Sequence, residues 1–554
     1  MFEREIIRIL KKETKLKNIT LEIPPNLNLG DFAFPCFSLS KQYQKSPNEI
    51  ALDLSIRLKP TELIESIVPK GPYLNFFINK SKLAELTLRS VFKEKDKYGS
   101  YMTGKGKTAL IEHTSINPNA SPHVGRARGA IIGDSIARLL RFQGYKTEVH
   151  YFVNDVGKQI AMLLLGIGNN KPDFKKILKI YVQTSKKMEK SKKLENQAFN
   201  LLKKFEDGDK DTIKKFKQVV DVCVKGQIKI LSRLGIKYDI FDYESKYLFD
   251  KKTKEVLSRL EKTKYLFSDS ENRKVLDMSS FNLSMKEPYF VLTRSNNTSL
   301  YSLRDIAYTL DKIKRTKHKN IITLGEDQKL YFQQIKAAMS LLKQPAPQPI
   351  HYAHILLSGE GRMSTREGNL ILLEDFIDES IKKASLELKK RKSKNIQKIS
   401  NIIGIGAVKY SILKVSPEKA ILFDWASALA FEGETSSYIQ YAYVRASSIL
   451  RKAKIKQLPV PNYRLISLPE EINLINKIYL FPETVFKATI DLKPYIIANY
   501  LYQLAQTFNE FYHKCQCITE NKEITKTRLA MVFAASQVIR NGLLILGIDS
   551  PEKM

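Results

Sequence analysis

A run of apolar residues, Thr108 to Ile111, opens into a polar, proline-punctuated loop. The loop ends on His123-Val124-Gly125-Arg126, at the start of a long amphipathic stretch from Gly125 to Phe142. A second apolar run follows from Thr147 to Val153. Strand, helix and strand in this order predict a βαβ unit, and strands joined by a crossover helix pair in parallel. A helix start presents backbone N–H groups, and a glycine there permits close approach. That combination suits the phosphates of a nucleotide.

A chain of 554 residues is too long for one hydrophobic core, so about three or four domains are expected. Lys+Arg 92 minus Asp+Glu 58 gives a net charge of +34. Such an excess suits a polyanionic partner, nucleic acid first; a general lysine bias spread along the chain is the alternative. Four cysteines form neither a disulfide framework nor a paired zinc signature. A reducing compartment fits them. No apolar run is expected to reach the ~18 residues needed to span a bilayer. The opening residues mix Glu with Arg and Lys, and Phe2, Ile6, Ile9 and Leu10 recur at helical spacing. They predict an amphipathic helix and no targeting peptide. A soluble cytoplasmic monomer with no membrane association is the expectation.

Three domains are predicted. Residues 1–81 form a small α+β unit ending in strand-like GPYLNFFIN. Residues 82–410 form an α/β domain with a doubly wound parallel sheet. It is interrupted at about 165–275 by a lysine-rich helical insertion, after which VLTRSN, a helix over SLYSLRDIAYTLDKIK, NIITLG and PIHYAHILL resume the pattern. Residues 411–554 are all-helical, with NIIGIGAVKYSIL and KQLPVPNY read as the main helix breaks of the carboxyl-terminal part. No internal repeat is present.

A second basic signature, Gly361-Arg362-Met363-Ser364-Thr365-Arg366-Glu367-Gly368-Asn369, follows the apolar run HYAHILL. Both signatures fall where a doubly wound sheet presents the carboxyl ends of its strands, the usual ligand crevice. Donors and cations gathered there suit attack on a nucleotide phosphorus, where charge builds on phosphoryl oxygens and positioned groups do the catalysis.

The stretch from Glu112 to Gln159 closely resembles the HIGH region of class I aminoacyl-tRNA synthetases. Glu112, Asn117, the Asn117-Pro118 step and Asn154-Asp155 resemble the arginyl-tRNA synthetase version. The second signature resembles the KMSKS loop in its KMSTRKGN form. The resemblance covers nearly the whole chain in the family's order. It implies an amino-terminal tRNA domain, a Rossmann-like catalytic domain and a helical anticodon-binding domain. It also implies ATP, L-arginine and arginine tRNA as partners, magnesium carried with ATP, and no protein-bound structural metal. The family typically needs bound tRNA before it activates arginine. His123, Gly125, Arg126, Arg362, Ser364 and Arg366 are the implied catalytic set. Asn117, Pro118, Val124 and Met363 join His123, Gly125, Arg126, Arg362 and Ser364 around ATP. Three departures stand out. Arg126 replaces the second histidine of HIGH, Arg362 replaces the first lysine of KMSK, and Thr365 stands at the second. Arginine keeps the charge but not the compact ammonium, so which of Arg126, Arg362 and Arg366 meets which phosphate stays open.

A guanidinium substrate calls for carboxylates, with which its planar fork pairs. Tyr301 and Asp305 lie at i, i+4 on one predicted helix face. By resemblance Tyr301, Asp305 and Gln328 read the arginine side chain. Glu112, Asn117 and His123 hold the amino-acid end or complete the pocket. An ion pair of Asp305 with Arg304 or Arg315 is the structural alternative. Asn154, Asp155 and Gln159 match an NDWGxQ element with Val156 in place of its tryptophan; helix capping is their alternative. Phe431 to Ile449 resembles the entry to the anticodon-binding helix. Tyr438, Gln440, Tyr441 and Arg445 there offer stacking faces, an amide edge and a cation, the means by which single-stranded RNA is read. Tyr73 and Asn75 align with a strand that contacts the tRNA D-loop; ordinary strand packing is the other reading. Another class I synthetase and a non-catalytic tRNA-binding paralogue are the rivals to arginine–tRNA ligation.

Overall fold

The computed structural model describes residues 1–357, 361–362, 371–390, 395–423, 430, 432–454, 460–551 and 553. The chain divides into two compact units.

One unit comprises residues 1–98, 445–481 and 504–538. Its first helix, Phe2–Thr14, buries Phe2, Ile6, Ile9 and Leu10 as their spacing predicts. Glutamates in its first turn and lysines in its last oppose the helix dipole. The strands β1 (Phe32–Pro35), β2 (Ile64–Lys70) and β3 (Tyr73–Ile78) form an antiparallel sheet in the order β1-β3-β2. The helix Pro47–Arg57 starts on a Ser46/Glu49 capping box. Its Ile50 and Leu54 share a core with Phe34, Leu74 and Phe76.

The other unit comprises residues 99–444, 482–503 and 539–554. Its main sheet uses β4 (Thr108–Thr114), β5 (Lys146–Val153) and β6 (Ile240–Tyr243). A small antiparallel sheet of β7 (Leu266–Ser268), β8 (Lys274–Asp277) and β9 (Tyr289–Val291) follows. The chain then adds β10 (Lys319–Gly325) and β11 (Gln348–Tyr352) to the main sheet. The order is β11-β10-β4-β5-β6, and every pairing is parallel. Succession runs outward from β4 through β5 to β6, then crosses to the opposite side for β10 and β11. The sheet is therefore doubly wound, and its direction reverses beside β4, where such sheets bind ligands. Ala109, Leu110 and Ile111 of β4 are fully buried, as a strand covered on both faces should be.

Several elements differ from expectation. The lysine-rich segment is not wholly helical, because β6 lies within it and completes the sheet edge. VLTRSN contributes only its start to a strand: β9 ends at Val291, and a turn closes with the Arg294 N–H donating to the Thr298 carbonyl at 2.9 Å. PIHYAHILL splits at Ala353-His354 into β11 and β12 (Ile355–Leu357). The cause is Arg128, fully buried on the helix Val124–Phe142, whose guanidinium donates to the Ala353 carbonyl at 2.6 Å and to the Lys419 carbonyl at 2.8 Å. Ala353 N–H donates to Pro417 O, so backbone groups here are satisfied outside any ladder. NIIGIGAVKYSIL is helix interior, within Ile396–Leu413. A Cβ on Gly404 would lie 2.8 Å from both Cα and N of Ile381, so the glycine is there for close backbone approach and not as a breaker. The helix Lys522–Leu546 is long and apolar enough to cross a membrane, contrary to expectation, yet most of its apolar window is buried in protein.

Candidate active site

The polar loop after β4 is pinned from below. Gln227, fully buried on the helix Lys210–Arg233, donates to the carbonyls of Asn117 at 3.0 Å and Ala120 at 2.9 Å. Its own oxygen accepts from the Tyr151 hydroxyl at 2.7 Å. Asn119 donates to Gln159 at 3.0 Å. The Asn117 side chain has no hydrogen-bond partner among the described residues, and Pro118 beside it is buried.

The loop delivers His123 as the N-cap of the helix Val124–Phe142. Its Nδ1 accepts from the Arg126 N–H at 3.3 Å. That assignment puts the proton of the neutral ring on Nε2, which is then free to donate. Burial, and then the neighbouring Arg126, push the His123 pKa down to about 4, so the ring is neutral near pH 7. Val124 is buried, Gly125 follows it in the first turn, and Arg126 is exposed.

Residues that follow the second basic signature meet this point. β13 (Gly361–Arg362) pairs antiparallel with β12, and β12 pairs in parallel with β14 (Ile421–Phe423). Leu372 then bridges to His123. Val124 N–H donates to Ile371 O at 3.1 Å, and Leu373 N–H donates to Pro122 O at 2.8 Å. The histidine step and residues 371–373 thus share a short backbone ladder. Met363, Ser364 and Arg366 lie outside the described residues, as does the Arg362 side chain.

Asp305 lies on the helix Tyr301–Arg315. It keeps partial solvent access, yet protein surrounds it. Tyr331 donates its hydroxyl to Asp305 at 2.5 Å. The alternative ion pairs do not form: Arg304 binds Glu244 at 2.7 Å and Arg315 binds Asp242 at 3.3 Å. Among the described residues no cation is within pairing distance of Asp305. Burial raises its pKa to about 6, against the Tyr331 hydrogen bond; Glu112 adds to the rise, and Lys312 and Arg304 oppose it. Tyr301 is exposed, with its ring 5.3 Å from that of Tyr331. Gln328, just past β10, is half-buried and donates to its neighbour Asp327 at 3.0 Å rather than to Asp305.

Glu112, on β4, is buried and already paired: Lys312 Nζ lies 2.5 Å from its Oε2. Lys312 is a residue that sequence reasoning missed, since no local pattern links two positions 200 residues apart. Asp155 acts as a remote cap. It accepts from the Ser245 N–H at 2.8 Å and from the Ser245 hydroxyl at 2.6 Å. Asn154, with its amide turned to donate, meets Glu244 at 2.6 Å.

The RNA-facing candidates divide. Tyr73 is half-buried with its ring 5.8 Å from Phe37, whereas Asn75 is buried with an unpartnered Oδ1. Tyr441 is exposed, and Tyr438 packs its ring 5.6 Å from Tyr502. Gln440 is fully buried and donates to the Asp549 carbonyl at 2.7 Å. The Arg445 guanidinium sits 4.7 Å from the centre of the Tyr512 ring and bonds Asn509. Among the described residues, no three His, Cys, Asp or Glu side chains are grouped to hold a metal ion, and the four cysteines are buried and free.

Comparison with known proteins agrees along the chain. Residues 87–425 match the catalytic domain model of the class I (R) tRNA synthetases. Residues 439–554 match the DALR anticodon binding domain, and residues 1–78 match the arginyl tRNA synthetase N-terminal domain. The arginine–tRNA ligase of Methanocaldococcus jannaschii is 37% identical over 564 residues, covering 99% of this chain and 98% of its own. That of Halothermothrix orenii is 32% identical, with 100% of each chain covered. The solved Thermus thermophilus arginyl-tRNA synthetase superposes with a TM-score of 0.83 at 26% identity, covering 100% of both chains. With matches of this extent, the chain belongs to the arginyl-tRNA synthetases, in class I of the aminoacyl-tRNA synthetases.

Proposed function

We propose that this chain ligates L-arginine to arginine tRNA at the site built around His123 and Asp305. The observation that carries the reading is Asp305 itself. It is a carboxylate enclosed by protein, held by Tyr331, and without a cation of its own. A guanidinium completes such a site, because its fork supplies the donors and the charge that Asp305 lacks. Tyr301 lies beside it, and by the family resemblance Gln328 and the uncommitted amide of Asn117 complete the binding of arginine.

In the first step the arginine carboxylate attacks the α-phosphorus of ATP. The bond formed is the mixed carboxylic–phosphoric anhydride of arginyl-adenylate, and the phosphoanhydride bond between the α- and β-phosphates breaks to release pyrophosphate. No protein nucleophile is required. Neutral His123 donates from Nε2 to a phosphate oxygen, and Gly125 admits the adenine close to the backbone. Arg126, Arg362 and Arg366 offset the charge of the departing pyrophosphate, with Met363 and Ser364 of the same loop beside the nucleotide. Magnesium is carried by the phosphates of ATP. In the second step the 2′-hydroxyl of the terminal ribose attacks the arginyl carbonyl, and AMP leaves.

The proposal extends to the domains: residues 1–81 contact the D-loop through Tyr73, residues 82–410 activate arginine, and residues 411–554 read the anticodon with Tyr438, Tyr441 and Arg445. The enzyme works as a cytoplasmic monomer. Charging of total tRNA with each amino acid in turn tests the reading. Arginine alone should be esterified; another amino acid would favour a different class I specificity, and none would favour a non-catalytic paralogue.

A further inference from the structure

Arg128, on the helix Val124–Phe142, is fully buried, and among the described residues no carboxylate is within pairing distance of it. An unpaired buried charge is costly unless its donors are satisfied. Here backbone satisfies them. Nη1 donates to the Ala353 carbonyl at 2.6 Å and reaches that of His354 at 3.5 Å. Nη2 donates to the carbonyls of Lys419 at 2.8 Å and Ser416 at 3.2 Å. Each nitrogen thus holds a different segment, and the two segments also bond to each other. Ala353 N–H donates to Pro417 O at 2.9 Å, and Ile421 N–H donates to His354 O at 3.2 Å. β12 and β14 start from this junction, and β12 in turn carries β13, with Leu356 opposite Arg362. Gly129 lets the helix come this close, since a Cβ there would lie 2.7 Å from a ring carbon of Tyr352. One turn before Arg128, on the same helix face, Val124 N–H binds Ile371 O at 3.1 Å. The start of one helix therefore holds the chain on both sides of the basic stretch Met363–Asn369, and the same helix start presents His123.

We propose that Arg128 is a positioning residue for adenylate formation: its fork fixes the base of β12 and β13 on the helix that presents His123, and so sets where the basic stretch that opens at Arg362 stands relative to His123. Arg128 acts through backbone and touches no substrate. The inference rests on the reading of Arg362 and Arg366 as the cations that meet the departing pyrophosphate. A planar guanidinium suits the task and an ammonium does not. Two nitrogens held at a fixed separation can grip two segments at once, whereas lysine offers one point of attachment. Lysine at this position keeps the charge and most of the apolar stem, yet it leaves one of the two segments without its donor.

A mutant cycle in pyrophosphate exchange tests this on the full-length enzyme with arginine, ATP and total tRNA, each rate normalised to the titrated fraction of active sites. Misplacing a catalytic group by ~1 Å costs up to about a hundredfold, so Arg128→Lys should lower kcat by about tenfold or more. The arginine KM should stay close to that of the parent. In the background of Arg362→Ala with Arg366→Ala, the same Arg128→Lys change should cost little further, because the groups it positions are gone. A merely structural role would lower kcat by the same factor in both backgrounds, and that additive result would overturn the proposal. So would a rise in arginine KM with kcat unchanged. If Arg128→Lys does not fold, Arg128→Met, which buries no charge, takes its place in the cycle. Failure of both to fold would also overturn the proposal, since Arg128 would then serve folding and not catalysis. The background variant separates the two levels. A parental kcat in Arg362→Ala with Arg366→Ala would overturn the pyrophosphate reading of the basic stretch, whereas a lowered kcat there with an additive Arg128→Lys effect would overturn only the role of Arg128.

Discussion

Tyr331 gives its hydroxyl hydrogen to Asp305 over 2.5 Å, and among the described residues this is the one hydrogen bond that the Asp305 carboxylate receives. Burial outweighs it, so the carboxyl has a pKa of about 6 in the folded, ligand-free protein against 3.8 ordinarily. The folded state therefore holds this proton more tightly than the unfolded chain. Stability contributed by the protonated group is present below about pH 4 and is lost as pH rises through about 6.

Asp305→Asn should accordingly stabilise the ligand-free protein near pH 7.5, by up to about 3 kcal/mol for a shift of this size. Near pH 3.5 the gain should vanish. Thermal unfolding of parent and variant at both pH values checks this; an equal or lower melting temperature for the variant near pH 7.5 would contradict it.

Gly404→Ala is expected to destabilise. An exposed helical glycine replaced by alanine gains roughly 1 kcal/mol, but here the new methyl meets the Ile381 backbone at 2.8 Å. Overpacking of this kind costs about 1–3 kcal/mol. Denaturant unfolding gives the sign, and a stabilised variant would show that the two helices can move apart freely.

Gly404 shows where the sequence is ambiguous. A glycine in an apolar run reads equally as a breaker or as a contact point, and only the crossing helix decides. The βαβ unit was legible because its periodicity is local. The expectation that a ligand crevice lies at the carboxyl ends of the strands came from the strand order implied by that unit. Gln227, which holds the loop at Asn117 from 110 residues away, was not legible, nor was Lys312. Their partners are chosen by tertiary packing, and a buried glutamine or lysine on a helix has no local signature. The split of β11 from β12 was hidden for the same reason, since it depends on where Arg128 points.

The loop at Arg362–Arg366 is expected to act on the transition state. Arg362→Ala and Arg366→Ala should lower kcat for adenylate formation more than they raise the arginine KM. Pyrophosphate exchange at varied arginine measures both. A change confined to arginine affinity would place the loop on the wrong substrate.

Tyr441 and Gln440 should separate, although they are neighbours. Tyr441 is exposed, and loss of a stacking aromatic costs about 1–3 kcal/mol per base, so Tyr441→Ala should raise the tRNA KM about tenfold with arginine and ATP unaffected. Gln440 is fully buried against Asp549, so Gln440→Ala should lower thermal stability instead. Titration with tRNA and a melting curve for each variant test the pair; a Gln440→Ala effect on tRNA alone would reverse the assignment.

The most direct test is the arginine KM of Asp305→Ala in tRNA charging. Loss of one partner of a desolvated charge pair costs on the order of 2–5 kcal/mol, so the KM for arginine should rise about a hundredfold or more. The tRNA KM should stay that of the parent. An arginine KM close to the parent value in a folded Asp305→Ala protein would contradict the account.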